Sequence, residues 1–133
     1  MIKLFIGAKG SGKTKTLIEM VNSAATTSKG SVVCIEKGDK LIHDVTYKAR
    51  LIDTDAYSVY DAAALYGFIA GILASNSDIT DIFVDSALKI CGNDIDAFEK
   101  MLGKLESISK DVNVIMTSSI SVDECPATIK AYV

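Results

Sequence analysis

Basic character, paired cysteines, arginine and long apolar runs are all in short supply in this chain, and each shortage narrows what it does. The net charge is −3 with a sequence pI of about 5.1, and thirteen lysines with one arginine, Arg50, are scattered rather than clustered. A duplex-binding protein concentrates its cations in a stripe or patch, so nucleic acid is not indicated. The three cysteines, Cys34, Cys91 and Cys125, are odd in number, far apart and free of any C-x-x-C pair. That argues against a disulfide framework and a zinc site alike, and for reduced thiols packed in or near a core. The most apolar segment, Ala62 to Ala74, is interrupted by Tyr66, Gly67 and Gly71 and is too short to span a bilayer. With Met1 directly ahead of the first apolar run, the expectation is a cytoplasmic chain without a signal peptide or membrane contact. Repeats, low-complexity stretches and linkers are missing too.

What is present is an apolar, globular composition. Hydrophobic residues make up 49% of 133 positions and mean hydropathy is +0.30, which fits a single domain spanning residues 1–133 with a real core. A chain this apolar is also suited to hiding one face in a partner.

Read in order, apolar runs alternate with helical patterns. Ile2 to Ile6 is the first strand, and Lys13 to Thr27 carries Leu17, Met20, Val21 and Ala24 at helical spacing, closed by Lys29-Gly30. Ser31 to Glu36 reads as a buried parallel strand, Lys37 to Lys40 as a turn, and Leu41 to Val45 as either a hairpin strand or a surface crossing. Arg50 to Asp53 is a third strand. Thr54-Asp55-Ala56 supplies capping chemistry for a helix from about Ser58 to Ser75, apolar nearly all round and therefore deeply packed or part of an interface. Asp81 to Ser86 is the fourth strand, Asn93 to Lys110 an amphipathic helix and Val112 to Ser118 the fifth strand, with Thr128 to Val133 as one further short strand. This alternation predicts an α/β fold, a three-layer α/β/α sandwich on a mainly parallel sheet of five to six strands. If the first strand forms an edge that the C-terminal strand leaves open, self-association is the expected consequence.

The stretch that organises the rest is Gly7-Ala8-Lys9-Gly10-Ser11-Gly12-Lys13-Thr14, a complete G-x-x-x-x-G-K-S/T loop between a strand and a helix. Gly7, Gly10 and Gly12 permit turns closed to other residues, so that successive N–H groups form an anion nest on a helix N-terminus. Lys13 is placed to reach the outer phosphates of a nucleotide, and the Thr14 hydroxyl to ligate Mg²⁺. Asp85 ends the run Ile82-Phe83-Val84, the pattern of an acid that holds Mg²⁺ through water opposite such a loop.

On these residues the chain resembles the P-loop NTPases, and within them the additional-strand class of RecA-like recombinase cores and twitching-motility and secretion ATPases. Gly10-Ser11-Gly12-Lys13-Thr14-Lys15-Thr16-Leu17 is similar to the twitching-motility and secretion group, and Ile82 to Leu88 to the second motif of RecA-like cores. The resemblance runs from Ile2 to about Ser119. It implies a strand order of 3-2-4-5-1, a loop site built from Gly7, Lys9, Gly10, Ser11, Gly12, Lys13, Thr14 and Lys15, and Mg²⁺ held by Thr14 and Asp85. It further implies a polar sensing position at Thr117, Ser118 and Ser119, and Glu36 as the carboxylate that activates water. Glu36 has a second reading as a solvated turn residue beside Lys37 and Lys40. The chain departs from the class at Ser86, where many members carry a glutamate, and in having Arg50 as its only arginine.

Three functions compete. The first is a slow ATPase or nucleotide-dependent switch using ATP and Mg²⁺, with Lys13 and Glu36 as its catalytic residues. The second is a nucleotide-binding interaction module without turnover. The third, a small phosphotransferase, normally needs an arginine-bearing lid. The absence of an N-K-x-D motif disfavours a GTPase. His43 reads as a surface residue, Lys9 as a solvated cation near the phosphates, and Asp53 and Asp55 as contacts to a second substrate, with helix capping the other reading for Asp55.

Overall fold

The computed structural model describes every residue from Met1 to Val133. Its strands are β1 (Ile2–Ile6), β2 (Ser31–Glu36), β3 (Arg50–Asp53), β4 (Ile79–Val84) and β5 (Asn113–Ser118), all paired in parallel. Its helices are α1 (Lys13–Thr27), α2 (Ala62–Ser75), α3 (Ala87–Ile90), α4 (Ile95–Ile108) and α5 (Ala127–Lys130), with a 3₁₀ turn at Thr54–Tyr57. Across the sheet the strands run β1-β5-β4-β2-β3, which counted from the β3 edge is 3-2-4-5-1.

Side chains alternate across a strand, so each strand feeds two cores. Val33, Ile35, Ile82, Val84, Val114 and Met116 pack with Leu65 and Ile69 of α2 and with Phe98, Leu102 and Leu105 of α4 in a cluster of 24 buried residues. Their neighbours Val32, Cys34 and Phe83 face the other way, towards Leu17 and Val21 of α1, in a cluster of eight. The α1 face is the thinner one. It is completed by a non-helical segment, from which Leu41, Val45 and Ala49 plug into the smaller core. Leu41 to Val45 is a turn rather than a hairpin strand.

Local chemistry corrects three expected boundaries. The helix anticipated from Ser58 begins at Ala62, because Ser58 adopts a left-handed conformation (φ 58°) that stops the 3₁₀ turn, and Asp61 then caps α2 by accepting the Ala64 N–H at 2.8 Å. α4 starts at Ile95, where Asp94 plays the same part for Ala97. The expected sixth strand at Thr128 to Val133 is instead α5 with its trailing turn, led in by Pro126 at φ −59°, an angle already suited to a helix start. The β1 edge is still partly covered, since the Leu4 N–H donates to the Tyr132 carbonyl at 2.8 Å.

The helix expected to be apolar all round buries Ala62, Leu65 and Ile69, while Ala63, Gly67 and Gly71 lie on its exposed side. No helix is long and apolar enough to cross a membrane.

Candidate functional site

The loop between β1 and α1 has backbone angles that its sequence requires. Gly10 and Gly12 take φ of 86° and 88°, a region that strains any side-chain-bearing residue. Gly12 immediately precedes α1, and no side chain caps that helix, so its first N–H groups face outward with their partial positive charge. Lys13 folds back across the loop. Its Nζ donates to the carbonyls of Gly7 at 2.8 Å and Ala8 at 2.9 Å and to the Ser11 hydroxyl at 3.2 Å, which holds the ammonium above the glycines.

The sheet order sets β5 between β1 and β4, yet the first turn of α1 bridges that gap. Thr14 Oγ1 donates to Asp85 Oδ1 at 3.0 Å, and Thr117 Oγ1, at the end of β5, donates to the same oxygen at 2.7 Å. Thr117 is itself oriented by the Ser86 N–H, which donates to its Oγ1 at 2.8 Å. Asp85 lies just past the end of β4, where its own N–H extends the ladder to the Ile35 carbonyl at 2.9 Å and Ser86 turns the chain away at φ 56°. Two hydroxyls distant in sequence therefore converge on one carboxylate oxygen. No group of three or more His, Cys, Asp or Glu is gathered into a metal cage. What the site offers is one carboxylate with a hydroxyl beside it, both oxygen donors.

Glu36 closes β2, one strand beyond Asp85, and fits neither of its expected descriptions simply. It is 3% exposed, so it is not a solvated turn residue. Both carboxylate oxygens accept the Leu41 N–H, at 3.2 and 3.3 Å, and the neighbouring Lys40 N–H adds its partial positive charge. Burial raises its pKa above the ordinary 4.5; the two backbone N–H groups pull it down, and the charges of Asp85 and Asp53 push it up again.

Around these groups opens a cleft of about 630 Å³, within the size range of small-molecule sites. Lys9, Gly10, Gly12, Lys13, Thr14 and Lys15 line it on one side, and Asp85, Ser86, Thr117 and Ser119 on another. Gly7 and Ser11 stand behind the lining, as acceptors of the Lys13 ammonium, and Glu36 does not reach it. The pattern of residues along the chain gave no hint of Lys40, Lys89 and Asn93, which also line the cleft. The available signal was positional: loops after parallel strands gather at the carboxyl edge of the sheet, and the segments after β2 and β4 both do so. Five lysines thus face one carboxylate inside a protein whose net charge is −3.

Other singled-out residues have structural duties. Asp53, not Asp55, caps the 3₁₀ turn by accepting the Asp55 N–H at 2.8 Å, and it also accepts the Gly38 N–H at 2.7 Å. Asp55 is ion-paired with Lys37 at 2.6 Å. His43 is exposed, the three cysteines are buried and free, and Arg50 stands at the opposite end of its strand from the cleft.

No protein-family model matches the chain, and no curated protein matches its sequence.

Proposed function

We propose that the cleft binds a nucleoside triphosphate, with ATP as the default, together with Mg²⁺, and that the protein works as a nucleotide-dependent switch or slow ATPase. The observation that carries this reading is the convergence of Thr14 and Thr117 on Asp85 Oδ1 beside a glycine loop roofed by the Lys13 ammonium. In this reading Gly10, Gly12 and the first N–H groups of α1 cradle the phosphates, and Lys13 exchanges its loop carbonyls for phosphate oxygens. Thr14 and Asp85 would hold the metal, which when bound supplies positive charge that neutralises the outer phosphates. Thr117 keeps the Asp85 carboxylate turned towards Thr14 and senses any displacement of it.

A second reading, nucleotide binding without turnover, is favoured by a separate observation. Glu36 is occupied by backbone donors and lies outside the cleft lining, and the single arginine is at the far end of β3. Charge at the transferring phosphate then lacks the cationic finger that gives fast members of this chemistry most of their rate.

Calorimetry with ATP, ADP and GTP in the presence of Mg²⁺, followed by phosphate release on the same sample, tests both readings. The expected result is binding that Lys13→Ala abolishes. Phosphate release above that variant's background selects the ATPase, and binding without release selects the switch. Binding that persists unchanged in Lys13→Ala would overturn the site.

A further inference from the structure

The cleft draws its cations from three segments, of which only one belongs to the glycine loop and another supplies Lys89 from α3. Lys9, Lys13 and Lys15 flank the loop, whereas Lys40 arrives from the segment after β2. Lys13 spends its donors on the loop, but the Lys40 ammonium makes no hydrogen bond or ion pair within the chain, whose single salt bridge is Lys37 to Asp55. A free ammonium is nevertheless carried on backbone that is firmly anchored. Glu36 accepts the N–H of the next residue, Leu41, whose side chain is 4% exposed in the core beneath α1. Asn22 of α1 then grips the same segment twice, donating to the Asp44 carbonyl at 2.9 Å and accepting the Thr46 N–H at 2.8 Å. The segment is thereby fixed to the helix that begins at the glycine loop.

We propose that Lys40 contacts the outermost phosphate of a bound nucleoside triphosphate from within the same chain, so that it distinguishes triphosphate from diphosphate, and that Glu36 is the positioning residue that sets it there. The inference rests on the phosphate-binding reading of the cleft. β4 separates β2 from the strands that carry the glycine loop and Thr117. A phosphate chain seated in the loop and passing Thr14 and Asp85 therefore runs towards β2, and its far end is what Lys40 meets. Arg50 opens β3 at the other end of the sheet, so it cannot take this part.

The test compares binding of Mg²⁺ with ADP and with a non-hydrolysable ATP analogue, by calorimetry, in the full chain. Lys40 is exposed, so its replacement is expected to leave the fold intact, as an unchanged melting temperature would show. Lys40→Ala is expected to weaken the triphosphate by about 10- to 100-fold, the usual weight of a hydrogen bond to a charged group, while ADP is unaffected, and Lys40→Arg restores the difference. Glu36→Ala, which removes the acceptor, should weaken the triphosphate selectively in the same sense, and the double variant should lose little more than Lys40→Ala alone, because the two act as one unit. A Glu36→Ala protein that binds the analogue normally and loses only phosphate release would overturn the positioning role. Equal weakening of ADP and triphosphate in Lys40→Ala, or no weakening of either, would overturn the proposal while nucleotide binding itself stands. Failure of the unaltered protein to bind either nucleotide would remove the site and the proposal together.

Discussion

Asp85 and Glu36 end neighbouring parallel strands at the same edge of the sheet, and both carry a carboxylate, yet their surroundings differ in kind. Asp85 is half-buried and is oriented by the hydroxyls of Thr14 and Thr117. Glu36 is fully buried and is oriented by the backbone N–H of Leu41. A hydroxyl both donates and accepts, so it can release a carboxylate and turn its own oxygen to a cation; an amide N–H can only donate and obliges its partner to remain an acceptor. The donors available at a strand end, more than the acid itself, therefore separate a group free to bind a ligand from one committed to holding a loop.

The sharpest way to break this comparison is to neutralise each acid in turn. Asp85→Asn keeps an oxygen for the two threonine hydroxyls but loses the charge that a metal needs. If the proposed nucleotide site is real, its affinity should lose its dependence on Mg²⁺, with metal affinity down by about 10- to 100-fold, while the melting temperature moves little. Glu36→Ala should behave in the opposite way for stability. It strands the buried Leu41 N–H, at a cost of about 1–3 kcal/mol, visible as a lower denaturation midpoint. A larger loss of stability in Asp85→Asn than in Glu36→Ala would reverse the assigned duties.

A smaller effect follows from the raised pKa of Glu36. The folded state keeps the proton to a higher pH than the unfolded chain, so the stability this group adds is present below its ordinary pKa of 4.5 and is lost as pH rises from there through the folded pKa. Glu36→Gln has no proton to lose and should flatten that part of the stability curve. Denaturation midpoints at pH 4.5, 5.5 and 7 measure the difference. An unaltered pH slope in the variant would mean that another group carries it.

The same contrast explains what was legible in the sequence. The placing of Gly7 to Gly12 between a strand and a helix could be read directly because glycine spacing, strand and helix follow one another along the chain, and the place of Asp85 at a strand end because it follows an unbroken apolar run. The five parallel strands were legible from apolar runs between helical patterns, and the opposed sets Val33, Ile35 and Val32, Cys34 show why each of those runs is buried on both faces. Glu36 was not legible. Its duty depends on Leu41 dropping into the α1 core, a tertiary event that brings the Lys40 and Leu41 N–H groups over the carboxylate. Lys40, Lys89 and Asn93 were hidden for the same reason, since only the sheet gathers them. Ser58 and the tail after Pro126 misled because local capping and turn geometry overrode apolar pattern.

Cys34 offers the finest test, because it lies two residues before Glu36 on the same face of β2 and senses both acids. Its thiol is pushed up to about 12 from an ordinary 9.0, first by burial, then by the charge of Glu36 and then by that of Asp85. Burial is the leading cause, so neither variant should make Cys34 reactive near neutral pH. The two should still rank. Glu36→Gln is expected to lower the Cys34 titration slightly, and Asp85→Asn by less, as followed through thiolate absorbance in a protein whose other two cysteines are replaced by alanine. Equal shifts would mean that Asp85 is as strongly felt inside the core as Glu36, and the division between a ligand-facing acid and a loop-holding acid would not hold. The expected ranking follows from position alone: Glu36 is buried in the protein interior with Cys34, whereas Asp85 faces a cleft in which water and five lysines screen its charge.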